Sequence, residues 1–356
     1  MSNVSQNAGH GKITAQMHND RVVFPVLSYT YPLKLLSPRM QQEGVAVVYM
    51  MTYGGGLVGG DHIFLSVNIE QDARLVLLSQ VCFLMCSIHP RCGLIKSTRI
   101  SACTSQGSTK VFKARVGVRA AVCTTLPGAP VNPPATTMTT TPTTTRQRLD
   151  VSVAAGGALF LLPDPVTCFR DATYHQNQTF HLVPGASAAL LDWYTSGRRA
   201  RGEEWAFARY YSANEVFVDG VRTARDVVLL DGGDGGSATG SSAPRDDGGS
   251  GTRGLPRRTL ADRMGPYACY ATLLLYGPLV QGVVKELEER MEKTSVFRVR
   301  EPLDVLWSMS GVHGEASGRV VRVAGKETED VKKWLSDALR GLIDVIGGEV
   351  YSKAFV

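Results

Sequence analysis

The sequence predicts a mostly-β protein that also contains two or three helices. Short runs rich in Val, Ile, Leu, Tyr and Phe recur along the chain, and Gly, Pro and Asp cluster between them. Such runs favour strands, and such clusters favour turns. Helical periodicity is confined to the region near the C-terminus. These patterns do not separate a sandwich, a barrel and a solenoid, and no regular internal repeat is visible.

The N-terminal half supplies the first group of predicted strands. An extended segment at residues 22–36 is punctuated by Pro25 and Pro32. Apolar strands are then expected at residues 45–53, 62–69, 73–78 and 110–122. Residues 1–19 lack the apolar core of a signal peptide, and no apolar run approaches the roughly 20 residues that span a bilayer. We therefore expect a cytoplasmic protein without a membrane partner.

The C-terminal half supplies further strands and the helices. Short strands are expected at residues 149–153, 158–162, 179–183, 188–192, 205–211, 215–218, 226–230 and 320–323, with a hairpin turn at Asp219-Gly220. Residues 279–293 and 328–346 carry apolar side chains at helical spacing, which predicts two amphipathic helices. Thr328 is expected to cap the second helix, and Gly347-Gly348 to end it. Residues 267–276 are largely apolar and fit either a helix or a buried strand.

Three segments interrupt what is predicted to be one domain spanning residues 1–356. Residues 124–145 are rich in Thr and Pro, and residues 231–254 in Gly, Ser and Asp, so both are expected to be loops. Residues 81–106 contain four of the seven cysteines and show no period. The first residues of this segment can be encoded by the nucleotides with which introns commonly begin, and its last residue by those with which introns usually end. We therefore hypothesise that residues 81–106 are a translated intron.

The composition is that of an ordinary globular protein with a mildly basic charge. Hydrophobic residues make up 44% and charged residues 20% of the chain, and the net charge is +6. The positive charge is spread along the chain without a basic cluster interleaved with aromatic residues, so nucleic acid is not an expected partner. Seven cysteines, an odd number without a secretory signal, argue against a disulfide framework.

The most distinctive stretch is residues 53–61, Tyr-Gly-Gly-Gly-Leu-Val-Gly-Gly-Asp. The spacing Gly54-x-Gly56-x-x-Gly59 matches a dinucleotide-binding fingerprint, which requires a helix directly afterwards. In residues 62–69 apolar and polar side chains instead alternate, as they do in a strand. The required helix is therefore absent from the predicted elements, and the stretch is not interpreted as a dinucleotide-binding loop. The stretch is interpreted as a glycine-rich connection between two strands. A nucleotide-binding enzyme that uses this loop is kept as an alternative, although no other catalytic motif is present.

Several motifs occur together in a defined order. They are Tyr31-Pro-Leu-Lys-Leu-Leu-Ser-Pro38, residues 53–61, Gln106-Gly-Ser-Thr-Lys-Val-Phe-Lys113, Leu162-Pro-Asp-Pro-Val166, Asp192-Trp-Tyr-Thr-Ser-Gly-Arg198, Arg201-Gly-Glu-Glu-Trp-Ala-Phe207, Arg225-Asp226 and Met264-Gly-Pro-Tyr267. The ordered set covers most of the chain and resembles the UreD/UreH family of urease accessory proteins in its fungal-type form. The resemblance implies a β-helix-like stack of strands with two helices. It also implies that the protein is not an enzyme.

The resemblance further implies a scaffold in urease maturation. Such a scaffold binds apo-urease on one side and a complex of a UreF-like protein and a UreG-like GTPase on the other. Ni²⁺ reaches urease through an internal passage of the scaffold, and GTP belongs to the GTPase. This chain is therefore expected to hold no stable cofactor and to carry Ni²⁺ only in transit. A generic β-rich interaction scaffold unrelated to nickel is a second alternative.

The candidate site residues come from these motifs. Asp61, His62, Glu203 and Glu204 are candidates for transient nickel contact, because imidazole and carboxylate groups ligate Ni²⁺. The structural or interface core is expected to comprise Tyr53, Gly54, Gly55, Gly56, Gly59, Gly60, Asp61, Gly107, Lys110, Arg198, Arg201 and Glu203. A zinc site is a competing hypothesis for the cysteine-rich segment, although the spacing is not a standard paired one, and it would use Cys82, Cys86, His89 and Cys92.

Overall fold

The computed structural model describes residues 8–39, 42–79, 108–113, 143–232, 258–293, 302–312 and 315–355. The strands of these residues are β1 His10–His18, β2 Arg21–Tyr29, β3 Leu33–Leu36, β4 Val45–Thr52, β5 His62–Ile69, β6 Arg74–Ser79, β7 Thr109–Val111, β8 Thr145–Val153, β9 Ala158–Leu161, β10 Val166–Cys168, β11 Thr173–Leu182, β12 Ser187–Thr195, β13 Arg209–Val218, β14 Val221–Asp231, β15 Cys269–Tyr276, β16 Val305–Val312 and β17 Glu315–Gly325. The α-helices are α1 Leu260–Met264, α2 Gln281–Lys293, α3 Thr328–Ala338, α4 Ile343–Ile346 and α5 Gly348–Ala354. The mostly-β fold class is confirmed.

The strands form two mixed sheets. Sheet I has the order β14-β13-β11-β8-β5-β1-β2, and sheet II has the order β16-β17-β15-β12-β9-β6-β4-β3, with β10 and β7 attached beside β12. The central neighbours of each sheet pair in parallel, whereas the outer strands pair antiparallel. Parallel neighbours require a crossover, which here is supplied by a strand of the other sheet. The β-helix-like stack that the resemblance implied stays a prediction.

Two apolar cores lie on the two faces of sheet II. Strand β12 shows the arrangement, because successive side chains of a strand point to opposite faces. Leu190 and Tyr194 belong to the core that contains residues of both sheets, whereas Leu191 and Trp193 belong to the core that contains residues of α2 to α5. β12 is therefore buried on both faces, which explains why its sequence is almost continuously apolar.

Several predicted elements are confirmed by the structure. β5 has the predicted bounds, α2 lies within the predicted helix at 279–293, and β14 follows β13 through a hairpin turn. The turn residues Asp219 and Gly220 have φ of 49° and 76°, the left-handed values that such a turn requires. Residues 267–276, which fitted a helix or a strand, contain β15. Every helix in the described part of the chain is too short or too polar to cross a bilayer.

The predicted helix at 328–346 is wrong in its continuity. α3 ends at Ala338, a 3-10 turn follows at Arg340–Leu342, and α4 is separate. The turn lets Gly341 approach α2, where an added Cβ would lie 3.2 Å from a methyl carbon of Val283. The cap is also wrong, since Glu327 occupies the cap position and the Thr328 side chain bonds instead to Cys269. Gly347 does end α4.

Other boundaries differ from those expected. The polar N-terminal segment contains a nine-residue strand, β1, which pairs with β2 and β5. Residues 205–208 precede β13 rather than belong to it. Thr145 and Asp231, which were assigned to loops, are end residues of β8 and β14. Gly107, the four proposed zinc ligands, all of residues 81–106, and residues 124–142 and 233–254 lie outside the described residues.

Candidate functional site

The glycine-rich stretch forms a compact connection that is hydrogen-bonded to β7. Tyr53–Gly55 make a 3-10 turn in which Gly54 and Gly55 have φ of 82° and 79°. The Leu57 amide then donates to the Lys110 carbonyl, and the Phe112 amide donates to the Leu57 carbonyl, each at 2.8 Å. Two of the predicted motifs are therefore joined by backbone hydrogen bonds, although about 50 residues of sequence separate them.

Gly56 is the point of closest approach between these two motifs. A Cβ at this position would lie 2.5 Å from the Lys110 carbonyl oxygen and 2.6 Å from the Phe112 ring. No side chain fits at that distance from a backbone atom. The structural role that the sequence assigned to this glycine has a direct steric explanation.

Asp61 closes the turn that contains Gly59 and Gly60. The Asp61 carboxylate accepts a 2.8 Å hydrogen bond from the Val58 amide, and the Asp61 amide donates to the Val58 carbonyl at 2.8 Å. Its carboxylate therefore has a local structural role. His62 is the exposed first residue of β5.

Arg198 and Glu203 form the central ion pair of the charged segment after β12. Arg198 Nε and Nη2 donate to the two carboxylate oxygens of Glu203 at 2.9 and 2.5 Å, and the guanidinium lies 3.9 Å from the centroid of the Phe169 ring. Hydrogen bonds from Arg198 lower the pKa of Glu203 below its usual value. Glu204 is about half exposed and lies 3.6 Å from Arg199.

These motifs surround a large cleft of about 890 Å³. Its walls come from β3, the end of β4, the 3-10 turn at residues 53–55, β7, β10, the end of β12 and the first turns of α3. The predicted site residues that line it are Tyr53, Gly54, Gly55, Lys110, Arg198 and Arg201. The structure thus brings together three motifs that are far apart in sequence.

Asp164 is a titratable group that lines the large cleft. Burial raises the pKa of Asp164 from 3.8 to about 7, and Lys332 opposes this shift. Burial also lowers the pKa of Lys332. The cleft therefore contains a carboxyl group that changes its charge near neutral pH.

A second group of polar side chains lies between the two sheets. We call it the polar row; it comprises Gln147, Tyr174, Gln176, Ser212, Asn214 and Asp192. Gln147, Gln176 and Ser212 are lateral neighbours on β8, β11 and β13. Gln176 and Ser212 are fully or almost fully buried.

Asp192 projects from sheet II and joins the polar row. Its Oδ1 accepts from Gln176 Nε2 at 3.1 Å, and its Oδ2 accepts from Ser212 Oγ at 2.6 Å and from Asn214 Nδ2 at 2.7 Å. Burial raises the pKa of Asp192, and these three hydrogen bonds oppose the shift. The Tyr174 hydroxyl extends the row, since it lies 2.8 Å from Gln176 Oε1 and 3.1 Å from Gln147 Oε1.

Each end of the polar row meets a small cavity. Gln147 lines a cavity of about 20 Å³ together with Thr52, which also lines the large cleft. Asp192 and Asn214 line a cavity of about 50 Å³, which Asp226 and Arg322 also line. Asp226 and Arg322 are partly exposed and form a 2.8 Å ion pair across the two sheets. The row therefore lies between one small cavity that shares Thr52 with the cleft and a second small cavity beside the Asp226–Arg322 ion pair.

The four nickel candidates do not form a joint site. In the described ranges, no three His, Cys, Asp or Glu side chains are grouped so as to hold a metal. Sequence reasoning missed the polar row, although a signal was present. Tyr174, Gln176 and Gln178 alternate along β11, opposite Tyr210, Ser212 and Asn214 on β13. Polar residues at the buried period-two positions of two neighbouring strands are that signal.

Comparison with known proteins identifies the family. The family model of the UreD urease accessory protein matches residues 7–82 and 98–353. Urease accessory protein 4 of Cryptococcus neoformans var. grubii is 33% identical over 345 residues, which cover 93% of this chain and 90% of that protein. Urease accessory protein D of Arabidopsis thaliana is 28% identical over 96% of this chain and 99% of its own length. Urease accessory protein UreD of Sorangium cellulosum is 30% identical over 97% of this chain and 84% of its own length. The chain therefore belongs to the UreD family of urease accessory proteins.

Proposed function

We propose that this chain is the scaffold through which Ni²⁺ passes to apo-urease, in a complex with a UreF-like protein and a UreG-like GTPase. Its relatives are named urease accessory proteins, and a non-catalytic role in urease maturation follows from family membership. The partners and the passage of nickel are the parts that we propose. GTP would be bound by the GTPase and not by this chain.

The polar row is the observation that carries the proposal. Buried polar groups destabilise a core unless they are satisfied, so a polar row between two apolar sheets calls for an explanation. The Tyr210 hydroxyl and the Asn214 side-chain oxygen are also buried without a hydrogen-bond partner among the described residues. Carboxylate, amide and hydroxyl oxygens can replace part of the water shell of a divalent cation. The row thus offers Ni²⁺ a series of weak contacts rather than a storage site.

The four nickel candidates from the sequence would act outside this row. His62 and Glu204 are exposed and could meet hydrated Ni²⁺ at the surface, where Glu204 would exchange its 3.6 Å contact with Arg199 for the ion. Glu203 is engaged by Arg198 and could contact the ion only after that pair opens. We therefore propose that Asp192 is the central carboxylate of the passage, and that His62 and Glu204 are entry contacts.

Substitution of Asp192 by Asn tests the passage. Asn keeps the shape and one acceptor oxygen but removes the charge, so we expect urease activation to fall by about tenfold, as for groups that support metal sites. The assay would use a host without its own UreD, supplied with this chain, urease, UreF, UreG and nickel. Asp150→Asn, on the outward face of β8 beside Arg148, is the matched control and should activate urease normally.

Two results would count against the proposal. Full activation by a folded Asp192→Asn variant would remove this carboxylate from the nickel route. No activation by the soluble, folded, unsubstituted chain would overturn the nickel role altogether and would favour a generic β-rich interaction scaffold.

A further inference from the structure

We propose that the large cleft binds an extended, acidic peptide segment of a partner protein, an inference that rests on the scaffold role proposed above. The segment would place carboxylates against the cationic rim of the cleft and an apolar side chain against its aromatic wall. Neither the polar row nor the nickel passage accounts for the size and charge of this cleft.

Charge is the first argument for an acidic occupant. Of the described side chains that line the cleft, five are cationic and two are acidic, and they are Lys34, Lys110, Arg198, Arg201, Lys332, Asp164 and Glu329. The cations come from β3, β7, α3 and the segment after β12. Charges in a cleft with low-dielectric walls attract opposite charges more strongly than charges on an open surface.

Preorganisation of Arg198 is the second argument. Its pairing with Glu203 uses Nε and Nη2, and its guanidinium stacks on Phe169. A guanidinium has five N–H donors, so others remain available for a ligand carboxylate. The side chain is already ordered, and little conformational entropy would be lost on binding.

Aromatic surface is the third argument, and it favours a peptide over a simple anion. Phe112 and Phe169 meet edge to face at 4.9 Å, and Trp193 lines the same cleft with its indole N–H bound to the Pro163 carbonyl at 2.7 Å. Tyr53 is 46% exposed at the rim, with Lys34 Nζ 5.8 Å from the centroid of its ring. A simple anion would leave these rings unused.

The size of the cleft and its two acidic groups also favour a peptide over a small anion. A volume of about 890 Å³ is far larger than one inorganic anion and near the upper range of small-molecule sites. Asp164 and Glu329 would repel a polyphosphate, whereas a peptide can offer amide or hydroxyl groups at those positions. The cations of the cleft are spread over four elements, so they match carboxylates that are spaced along a peptide.

Fluorescence anisotropy with a labelled acidic peptide tests the proposal. The probe would be a fluorescein-labelled octapeptide of Asp and Glu around a central Phe, and peptides with Gln or Lys in place of the acids would serve as comparisons. We expect the full chain to bind only the acidic peptide, more weakly as salt is raised. Lys34→Glu with Arg201→Glu should weaken binding by about tenfold or more, because attraction becomes repulsion.

The control variant carries the same change of net charge elsewhere. Lys12→Glu with Lys285→Glu alters exposed positions on β1 and α2 and should leave peptide binding unchanged. Equal weakening by the control would show that binding follows overall charge and would overturn the proposal. Absence of binding, or complete competition by millimolar inorganic phosphate, would also overturn it, the latter in favour of a small-anion site. Urease activation by the unsubstituted chain is measured separately, so failure of peptide binding is distinguishable from failure of the maturation role.

Discussion

Asp164 shows how the surroundings of one residue change its chemistry. Burial in the wall of the large cleft raises its pKa from 3.8 to about 7, and Lys332 only partly opposes the shift. The folded protein therefore binds more protons at this position than the unfolded chain between about pH 4 and pH 7. Stability contributed by this group must fall as the pH rises through that window.

Replacement of Asp164 by Asn removes this pH dependence. We expect the free energy of unfolding of the unsubstituted chain to decrease by up to a few kcal/mol more than that of the variant between pH 4.5 and pH 8, because one pK unit corresponds to about 1.4 kcal/mol. Denaturant unfolding at the two pH values measures the difference. Asp344→Asn, at an exposed position of α4, should behave like the unsubstituted chain. Parallel pH profiles for the unsubstituted chain and Asp164→Asn would contradict the assignment.

Asp61 and Glu203 show the limit of prediction at this scale. Both residue types suited a metal, and the sequence placed both residues among the nickel candidates. The structure shows that Asp61 accepts from the Val58 amide and that Glu203 pairs with Arg198. Residue type reveals which chemistry is available, but hydrogen-bond partners depend on the folded arrangement.

At the scale of elements, Gly56 links the glycine-rich stretch to β7. The backbone bonds of Leu57 to Lys110 and Phe112 require the two segments to lie in direct contact. β7 has only three residues and pairs with β10, so this link is a large part of its attachment.

The Gly56→Ala substitution should therefore destabilise the protein. The added Cβ would overlap the Lys110 carbonyl and the Phe112 ring, and we expect a loss of about 1–3 kcal/mol in the free energy of unfolding. Gly282→Ala is the matched control, because Gly282 lies on an exposed face of α2 with open space around it. That control should be neutral or gain about 0.5–1 kcal/mol, since alanine favours helices. Equal stability of the two variants in urea unfolding would refute the steric explanation.

At the scale of the whole molecule, residues 81–106 raise the main question about the chain. The described chain stops at Ser79 and resumes at Ser108, and Ser79 and Thr109 line the same small cavity of about 20 Å³. The family match is interrupted at residues 83–97, which lie within the segment. After removal of 81–106, Gln80 and Gly107 would join Ser79 to Ser108, a short gap that about 3.5 Å per residue can span.

We expect the chain without residues 81–106 to fold and to activate urease, because removal of this segment joins two ends of the chain that already lie near each other. Thermal unfolding and the urease assay measure the two properties. Sequencing of the mature transcript tests the intron hypothesis directly, and reads that all retain the segment would reject it. Stoichiometric zinc that is lost when Cys82 and Cys86 are changed would instead support the zinc site.

The sequence by itself determined those features of the protein that depend on residues close together in the chain. Alternation predicted β5, turn residues predicted the Asp219-Gly220 hairpin, and helical spacing predicted α2, because each pattern lies within a few consecutive residues. The ordered motifs indicated the family for the same reason, since each is contiguous. Only the tertiary structure decided the contact of Gly56 with Lys110 and the meeting of Asp192 with the strands of sheet I. Those contacts join distant parts of the chain, and they depend on strand register and on the packing of one sheet against the other.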